Sequence, residues 1–291
     1  MTKILVTGAT GNTGSLIVKQ LRERGVAVRA LARDEGRAAA LRQHGAEVVL
    51  GDLDVPASFD AAVEGVDKVY LVTWNGPSAE QQRKSVVDAA RRAGTAHIVV
   101  GGALGPRSRI TDQIDAANRF LEESGLPWTI LQPTFFMQNL LAAREPIAQG
   151  GLYWDLGQGR LPAIDVRDIA DVAVAVLLGS GHEGKTYDLT GPEAISFSEM
   201  AAVLSRELGH TVSYTAVPTE AAKQFLMSLG FPEWIADGFG ELMAGFAANW
   251  AASKTTNNVE VLSGHPARSF EQFVRDFRDY FVGAGQLARV G

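Results

Sequence analysis

The 291-residue sequence predicts an α/β protein, built on a doubly wound parallel sheet and completed by a smaller, mostly helical C-terminal lobe. Two observations predict this class. Short apolar runs rich in β-branched residues alternate with segments of helical periodicity, which is typical of βαβ units. The apolar runs also lack polar alternation, as expected of parallel strands that are covered on both faces.

Six strands, with helical segments between them, are expected in the first half of the chain. The predicted strands are Ile4–Val6, Val26–Leu31, Glu47–Leu50, Lys68–Val72, His97–Val100 and Thr129–Leu131. The predicted helices are Gly14–Arg24, Ala79–Ala93 and Asp115–Glu123. Each strand is bounded by glycine, proline or aspartate, whereas the helices carry apolar residues at a spacing of three and four.

After about residue 150 the alternation becomes less regular. The elements predicted there are a helix at Asp165–Leu178, a strand at Lys185–Leu189, a helix from Ser196 to Gly209, and helices at Thr219–Leu229 and Glu271–Phe281. Ser196 and Glu199 have the spacing of a capping box, and Gly209 suits the end of that helix. The segment Pro232–His265 is expected to be irregular.

A glycine-rich turn directly follows the first predicted strand. The sequence TGATGNTG leads into an amphipathic helix that ends at Gly25. In the strand–turn–helix unit that binds dinucleotides, the three glycines permit a tight turn, a close approach of phosphate and close helix packing. The helix N-terminus then faces the diphosphate. The residues predicted to bind a dinucleotide are Gly8, Thr10, Gly11, Asn12, Thr13 and Gly14; a glycine-rich turn without a ligand is the alternative.

The end of the second strand favours NADP(H), while NAD(H) stays an option. An acidic residue there would accept hydrogen bonds from the ribose 2′-hydroxyl, but this chain has Arg33. Its planar guanidinium suits a 2′-phosphate, and Arg37 follows one helical turn later on the same face. Alternatively, Arg33 is a solvated residue that stacks on adenine, and the adjacent Asp34 is compatible with NAD(H).

Two further strand ends supply candidate coenzyme contacts. Asp52 can accept a hydrogen bond from the adenine amino group while the Leu53 N–H binds a ring nitrogen; a cap or turn role for Asp52 is an equal alternative. Thr73 and Trp74 follow the fourth strand, at the edge where open parallel sheets bind ligands, and are expected on the nicotinamide side. A core or loop position for Trp74 is the alternative.

Composition excludes several function classes. The chain has 27 Lys plus Arg against 33 Asp plus Glu and no long basic run, so nucleic acid is not an expected partner. It has no cysteine, which excludes disulfides, thiolate nucleophiles and Cys-ligated metals.

The longest apolar stretch of the chain, Val172–Leu178, is far shorter than the roughly 20 residues of a membrane helix. A cytoplasmic protein that does not bind membranes is expected.

Several segments carry a resemblance to a known family. They are TGATGNTG, VRALARD, GDLDVPASF, GLPWTILQPTFFMQNLL, IDVRDIADVAVAVLL and GHEGKTYDLTG. These resemble the NmrA-like atypical short-chain dehydrogenase/reductases, in particular bacterial NAD(P)H:quinone oxidoreductases and triphenylmethane reductases. The resemblance implies a Rossmann-like NAD(P)-binding domain at residues 1–155, with 162–180 returning to it. It further implies a C-terminal lobe at residues 181–291, with the substrate cleft between the two. By the same resemblance, Pro133, Thr134, Phe135 and Phe136 pass beside the nicotinamide.

The catalytic pair that is usual in short-chain dehydrogenases is absent. In that pair a Tyr protonates the carbonyl and a Lys four residues later lowers the pKa of the Tyr. The residues four positions after the five tyrosines are Trp74, Gly157, Gly191, Pro218 and Ala284, and none is Lys. The identity of any catalytic side chain is therefore left unknown.

This absence favours acceptors whose reduction needs no side-chain acid. Hydride transfer to a quinone gives a delocalised anion that solvent can protonate, so the main requirement is an aromatic slot that positions the acceptor. The residues predicted to contact such a substrate are Trp74, Phe136, Gln138, Asn139, Tyr153 and Trp154. Core packing for Phe136, and helix capping for Gln138 and Asn139, are the alternatives.

Two other functions remain in view. One is an NmrA-type regulator that binds NAD(P) as a signal and catalyses no reaction. The other is a ketoreductase of a polyketide-like aromatic substrate, in which a phenol group of the substrate supplies the proton.

The five histidines (His44, His97, His182, His210 and His265) lack metal-binding spacing, so no metal is expected. A homodimer is a possible assembly.

Overall fold

The computed structural model describes residues 2–73, 78–248 and 254–283. Its strands are β1 (Lys3–Val6), β2 (Ala27–Ala32), β3 (Glu47–Leu50), β4 (Lys68–Leu71), β5 (His97–Gly101), β6 (Trp128–Pro133), β7 (Gly151–Trp154), β8 (Arg160–Leu161), β9 (Lys185–Leu189), β10 (Ile195–Ser196) and β11 (Ser213–Ala216). Seven of them form one parallel sheet in the order β3–β2–β1–β4–β5–β6–β9. The predicted doubly wound Rossmann-like sheet is confirmed.

The helices cover this sheet and build the second half of the chain. They are α1 (Asn12–Glu23), α2 (Glu35–Gln43), α3 (Ser58–Val63), α4 (Ala79–Ala93), α5 (Arg109–Glu122), α6 (Arg144–Ala148), α7 (Val166–Leu178), α8 (Phe197–Leu208), α9 (Thr219–Ser228), α10 (Glu233–Ala247), α11 (Asn258–Ser263), α12 (Phe270–Asp276) and α13 (Arg278–Phe281). A 3₁₀ helix, Met137–Ala143, precedes α6. None of the described helices combines the length and apolar character that a membrane span requires.

The sheet is buried on both faces. On β1, Ile4 and Val6 belong to one apolar cluster with α1 and α7, whereas Leu5 belongs to a second cluster with α3 and α4. Successive side chains of a strand point to opposite faces, so both kinds of position are apolar. This explains why the predicted strands carry no polar alternation.

The strand order reverses direction next to β1. The chain runs outward from β1 to β3, then crosses back to pair β4 with the other side of β1 and continues outward to β6. The loops after β1 and β4 therefore diverge to opposite faces and leave a crevice at the carboxyl edge of the sheet. In open α/β sheets this crevice is where ligands bind.

A third apolar cluster forms the core of the C-terminal part. It is rich in aromatic rings, and Trp154 of β7 stacks on Phe197 of α8 with ring centroids 5.2 Å apart. The predicted capping box at the start of α8 is confirmed, since the Glu199 N–H donates to Ser196 Oγ over 3.2 Å. Gly209 ends the helix with a φ of +80°.

The prediction of an irregular segment at Pro232–His265 is wrong, because α10 and α11 lie within it. α10 is difficult to predict from the sequence because it contains glycines, which lower helix propensity. The glycines are required because other parts of the chain pack closely against this helix. A Cβ added to Gly238 would lie 2.5 Å from Ile110 Cγ1, and one added to Gly245 would lie 2.2 Å from Pro106 Cβ. Tertiary packing, and not propensity, determines this helix.

Two other elements differ from the expectation. The strand Lys185–Leu189 is β9, which pairs with β6 at the edge of the main sheet, so part of the predicted lobe extends the sheet. The helix predicted at Glu271–Phe281 is divided into α12 and α13 at Phe277. The division of the chain into units at residues 155 and 181 stays a prediction.

We expect Gly245→Ala to lower the free energy of unfolding by about 1–2 kcal/mol. The new methyl group would overpack the rigid Pro106 ring, which outweighs the roughly 1 kcal/mol gained in helix propensity. Urea unfolding measures this. Gly36→Ala in α2, where the added Cβ meets only a flexible carboxylate at 3.3 Å, should leave stability unchanged or raise it; equal stabilisation by both changes would contradict the packing explanation.

Candidate functional site

The glycine-rich turn joins β1 to α1 at the carboxyl edge of the sheet. Gly8 has a φ of +58°, a conformation that glycine adopts without strain. A Cβ on Gly14 would lie 2.2 Å from the Gly8 carbonyl oxygen, so only glycine permits this approach of helix and turn. Gly11 precedes α1 and provides no side-chain cap. The first N–H groups of the helix are therefore left for an anion.

A cavity of about 530 Å³ lies beside this turn. It is lined by Gly8, Thr10, Gly11, Leu31, Ala32, Arg33, Arg37, Gly51, Asp52, Leu53, Asp54, Val72, Thr73 and Gln82. The structure thus brings together residues from four strand ends that the sequence predicted as one site. Asn12, Thr13 and Gly14 form the first turn of α1 behind the cavity wall, and Trp74 lies outside the described residues.

Arg33 and Asp34 are adjacent in the chain but have different roles in the structure. Asp34 caps α2, because its Oδ1 accepts a hydrogen bond of 2.9 Å from the Arg37 N–H, and its Oδ2 lies 3.3 Å from Arg37 Nε. Arg33 is exposed and, within the described ranges, forms no hydrogen bond or ion pair. The carboxylate of Asp34 is therefore engaged at the start of α2, whereas the guanidinium of Arg33, at the cavity wall, has no described partner and can bind an anion.

Asp52 has the turn role that was one of its two predicted alternatives. Its Oδ1 accepts a hydrogen bond of 3.0 Å from the Asp54 N–H. The turn also places Asp54, which accepts a hydrogen bond of 2.7 Å from Gln82 Nε2. Asp52 is half-buried at the cavity wall. Its second carboxylate oxygen can still serve the predicted contact with a base, which stays a prediction.

Thr73 rests on a buried arginine that sequence analysis missed. Thr73 is 5% exposed and its Oγ1 accepts a hydrogen bond of 3.2 Å from Arg83 Nη2. Arg83 is 1% exposed, also donates to Asn118 Oδ1, and leaves its Nε without a partner. No carboxylate in the described part of the chain pairs with it, and burial lowers the pKa of Arg83 to about 10. A cationic group thus lies directly below the carboxyl end of β4.

The segment after β6 runs from the sheet into the lobe. Pro133 is buried in the ladder with β9, and Phe136 is half-buried against the α1–α7 face, with a bridge to Ile164. Phe135 points the other way and meets the ring of Trp154 edge-on at 5.6 Å. Neither Pro133 nor Phe136 lines the cavity beside the glycine turn, so their predicted coenzyme contacts stay predictions.

Gln138 is not presented to a ligand. It is 4% exposed; its Nε2 donates to Asp165 Oδ1 over 2.8 Å and its Oε1 accepts from the Val166 N–H over 3.0 Å. Both ends of the amide are used at the start of α7, so Gln138 caps that helix and not its own, which the alternative had predicted. The neighbouring Asn139 is half-buried and its side chain makes no hydrogen bond within the described residues.

A second cavity, of about 230 Å³, lies between the end of β7 and the helices α6, α9 and α10. It is lined by Ala143, Pro146, Tyr153, Trp154, Asp155, Val217, Ala221, Ala222, Lys223, Phe225, Leu226, Ala236, Phe239, Gly240 and Met243. Two predicted substrate residues, Tyr153 and Trp154, are therefore in its wall. Asp155 was not predicted, because a single Asp after an aromatic strand is an ordinary turn residue in sequence.

The carboxylates that could have suggested a metal are already neutralised. Asp168, Asp171 and His265 lie within reach of one another. The Arg268 N–H donates to Asp168 over 2.8 Å, and its Nη1 is 2.8 Å from Asp171 Oδ2. His265 Nε2 lies 3.0 Å from the same carboxylate oxygen. An arginine thus takes the place that a cation would need, and the cluster joins α7 to the segment before α12.

Comparisons with known proteins agree with this geometry. A model of the NmrA-like family matches residues 1–269. NAD(P)H azoreductase from Xenophilus azovorans is 40% identical over 277 residues, which cover 94% of this chain and 96% of the azoreductase. The NADPH-dependent quinone oxidoreductase from Escherichia coli, in complex with NADPH, superposes with a TM-score of 0.83 at 26% identity and covers 94% of this chain and 99% of its own. Triphenylmethane reductase from a Citrobacter species gives a TM-score of 0.82 at 27% identity, covering 95% and 99%.

We expect Gln138→Met to lower the free energy of unfolding by about 1–3 kcal/mol. The change keeps the shape of the side chain but leaves the Val166 N–H without its acceptor and removes one of the donors to Asp165, which keeps Arg167. Urea unfolding at neutral pH measures it. Asn139→Leu, one position along the chain, is the matched control and should change stability by less than about 0.5 kcal/mol; equal effects would contradict the capping role of Gln138.

Proposed function

Because this chain belongs to the NmrA-like family, we propose that it is an NADPH-dependent oxidoreductase that reduces quinone-like or other conjugated aromatic acceptors. One observation carries the proposal. The exposed guanidinium of Arg33, which has no partner within the described residues, stands in the same cavity wall as a glycine turn that tolerates no side chain. This combination fits a dinucleotide with a 2′-phosphate.

The residues present fit such a coenzyme. The first-turn N–H groups of α1 would bind the diphosphate, because Gly11 leaves them without a side-chain cap. Arg33, with Arg37 one turn away, would bind the 2′-phosphate, and Asp52 and Leu53 would meet the adenine. Thr73 would lie towards the nicotinamide, held in place by Arg83. When bound, the coenzyme supplies a hydride.

The acceptor site that we propose is the apolar cavity of the lobe. Tyr153 and Trp154 offer flat aromatic surfaces, and Trp154 is fixed by stacking on Phe197 and by the edge contact with Phe135. Phe135 belongs to the segment that leaves β6, so the walls of this cavity are connected to the carboxyl edge of the sheet. The rigid aromatic wall would orient a planar ring and exclude water.

The chain offers no Tyr–Lys pair to protonate an isolated alkoxide. Reduction of a quinone adds a hydride and a proton, and the intermediate anion is stabilised by delocalisation, so water can supply the proton. Positioning is then the main contribution of the protein. Azo and triarylmethane compounds share this property of a conjugated acceptor, and reduction of such dyes is within the proposal. The cytoplasmic location and the homodimer stay predictions.

The activity is tested by following NADPH oxidation with 2-methyl-1,4-naphthoquinone, an azo dye, a triarylmethane dye and an unconjugated ketone. We expect turnover with the conjugated acceptors and none with the ketone. Tight binding of NADPH without reduction of any acceptor would overturn the proposal and favour a regulator that senses the dinucleotide. Equal rates with the unconjugated ketone would show that an acid is present after all.

We expect Arg33→Ala to raise the Kd for NADPH about 10- to 100-fold and the Kd for NADH less than twofold. A charged hydrogen bond contributes about 1.5–3 kcal/mol, and only NADPH carries the 2′-phosphate. Isothermal titration calorimetry measures both constants. Arg42→Ala is the matched control, because Arg42 is an exposed arginine in α2 that pairs with Glu35; it should change neither Kd. Equal weakening of both coenzymes by Arg33→Ala would refute the phosphate role.

A further inference from the structure

Asp155 has one carboxylate oxygen without a described partner in a largely apolar cavity wall. It follows β7 and lines the 230 Å³ cavity with aliphatic and aromatic neighbours. Its Oδ2 is shielded from solvent and has no hydrogen-bond partner in the described part of the chain. A buried polar atom without a partner costs about 1–3 kcal/mol. Nothing in the fold requires this cost, since Asp155 neither caps a helix nor joins an ion pair among the described residues.

The other charged group of the cavity is already satisfied. Lys223 Nζ lies 2.5 Å from Asp237 Oδ1 and 3.5 Å from Glu220 Oε2. The Tyr214 hydroxyl, which faces the same region, donates to the Trp154 carbonyl over 3.1 Å. Burial raises the pKa of Asp155 in spite of a hydrogen bond from Thr219. Oδ2 therefore lacks a donor, and the described side chains around it do not supply one.

The cavity has the size and the lining of a site for a bicyclic aromatic. An apolar protein cavity of about 150 Å³ is large enough for benzene, so 230 Å³ accommodates a two-ring system. α9 borders the cavity, and none of its described side chains is fully buried.

We propose that Asp155 is a specificity-determining residue of this cavity, which selects aromatic ligands that carry a hydroxyl or amino hydrogen-bond donor. The donor of the ligand would pair with Oδ2 while the ring lies against Tyr153 and Trp154. This inference rests on the proposed function in one respect, namely that the aromatic ligand is the electron acceptor. Hydroxyl- and amino-substituted quinones and dyes would then be preferred over unsubstituted ones.

The experiment compares two probes that differ in one donor, 2-naphthol and 2-methoxynaphthalene, by isothermal titration calorimetry on the full chain without coenzyme. The unmodified protein should bind 2-naphthol at least tenfold more tightly. Asp155→Leu should reduce this preference to near one, whereas Asp155→Asn, whose amide oxygen still accepts, should retain part of it. Asp60→Asn, an exposed carboxylate of α3 far along the chain, is the control and should keep the full preference.

A second measurement separates recognition from a structural role. Because Oδ2 is buried without a partner, Asp155→Leu should raise the melting temperature while it removes the preference for 2-naphthol. Loss of affinity for both probes together with a lower melting temperature would overturn the proposal, as would an unchanged preference or the absence of binding of either probe to the unmodified protein.

The outcome is independent of the proposed activity, since no coenzyme or turnover is involved. A preference for 2-naphthol that depends on Asp155 supports the inference even if no acceptor is reduced. Conversely, reduction of quinones by a protein whose Asp155→Leu variant keeps the preference would support the proposed function and overturn this inference.

Discussion

The close approach of α1 to the turn after β1 is the constraint on which the rest of the site depends. Because Gly14 carries no side chain, the start of the helix can pack directly against the Gly8 carbonyl. The first N–H groups of α1 are thereby aimed into the crevice where the strand order reverses. The residues at the ends of β2, β3 and β4 are useful only because this turn gives them a common cavity to line.

The two arginines of the candidate coenzyme site, Arg83 and Arg33, differ in burial and in their hydrogen-bond partners. Arg83 is deeply buried and uses two neutral acceptors, Thr73 and Asn118, so it fixes a side chain of the cavity wall but cannot move. Arg33 is exposed and has no described partner, so its side chain can change conformation when a ligand binds. In the second cavity, Lys223 is paired with Asp237, whereas Asp155 Oδ2 has no described partner.

Much of the fold follows from local sequence signals. The glycine spacing, the apolar strands and the capping box at Ser196 each depend on residues within a few positions of one another, and each is found where the sequence places it. Features that depend on distant partners were not predictable in this way. α10 carries glycines because Ile110 and Pro106 occupy the space beside it, so its composition argues against the helix that packing imposes.

The candidate site shows the same limit. Strand-end residues such as Arg33 and Asp52 are predictable because parallel strands share one edge. Arg83 stands among polar residues in the first half of α4, and nothing local indicates that its guanidinium is buried under Thr73. Gln138 follows an aromatic pair and suggests a ligand contact, yet its partners Asp165 and Val166 are 27 and 28 positions away. Only the folded chain reveals which polar groups are already engaged.

The exposed position of Arg33 has a consequence for how such a protein can change over time. Gly14 is locked into the architecture, so its replacement endangers folding itself, whereas Arg33 touches solvent on one side and supports no other described residue. Under the proposed function, Arg33 contributes with Arg37 to the choice of coenzyme, and so to the pool of cellular reducing equivalents from which the protein draws electrons. Natural selection can therefore alter the coenzyme preference by a single substitution at Arg33, at almost no structural cost.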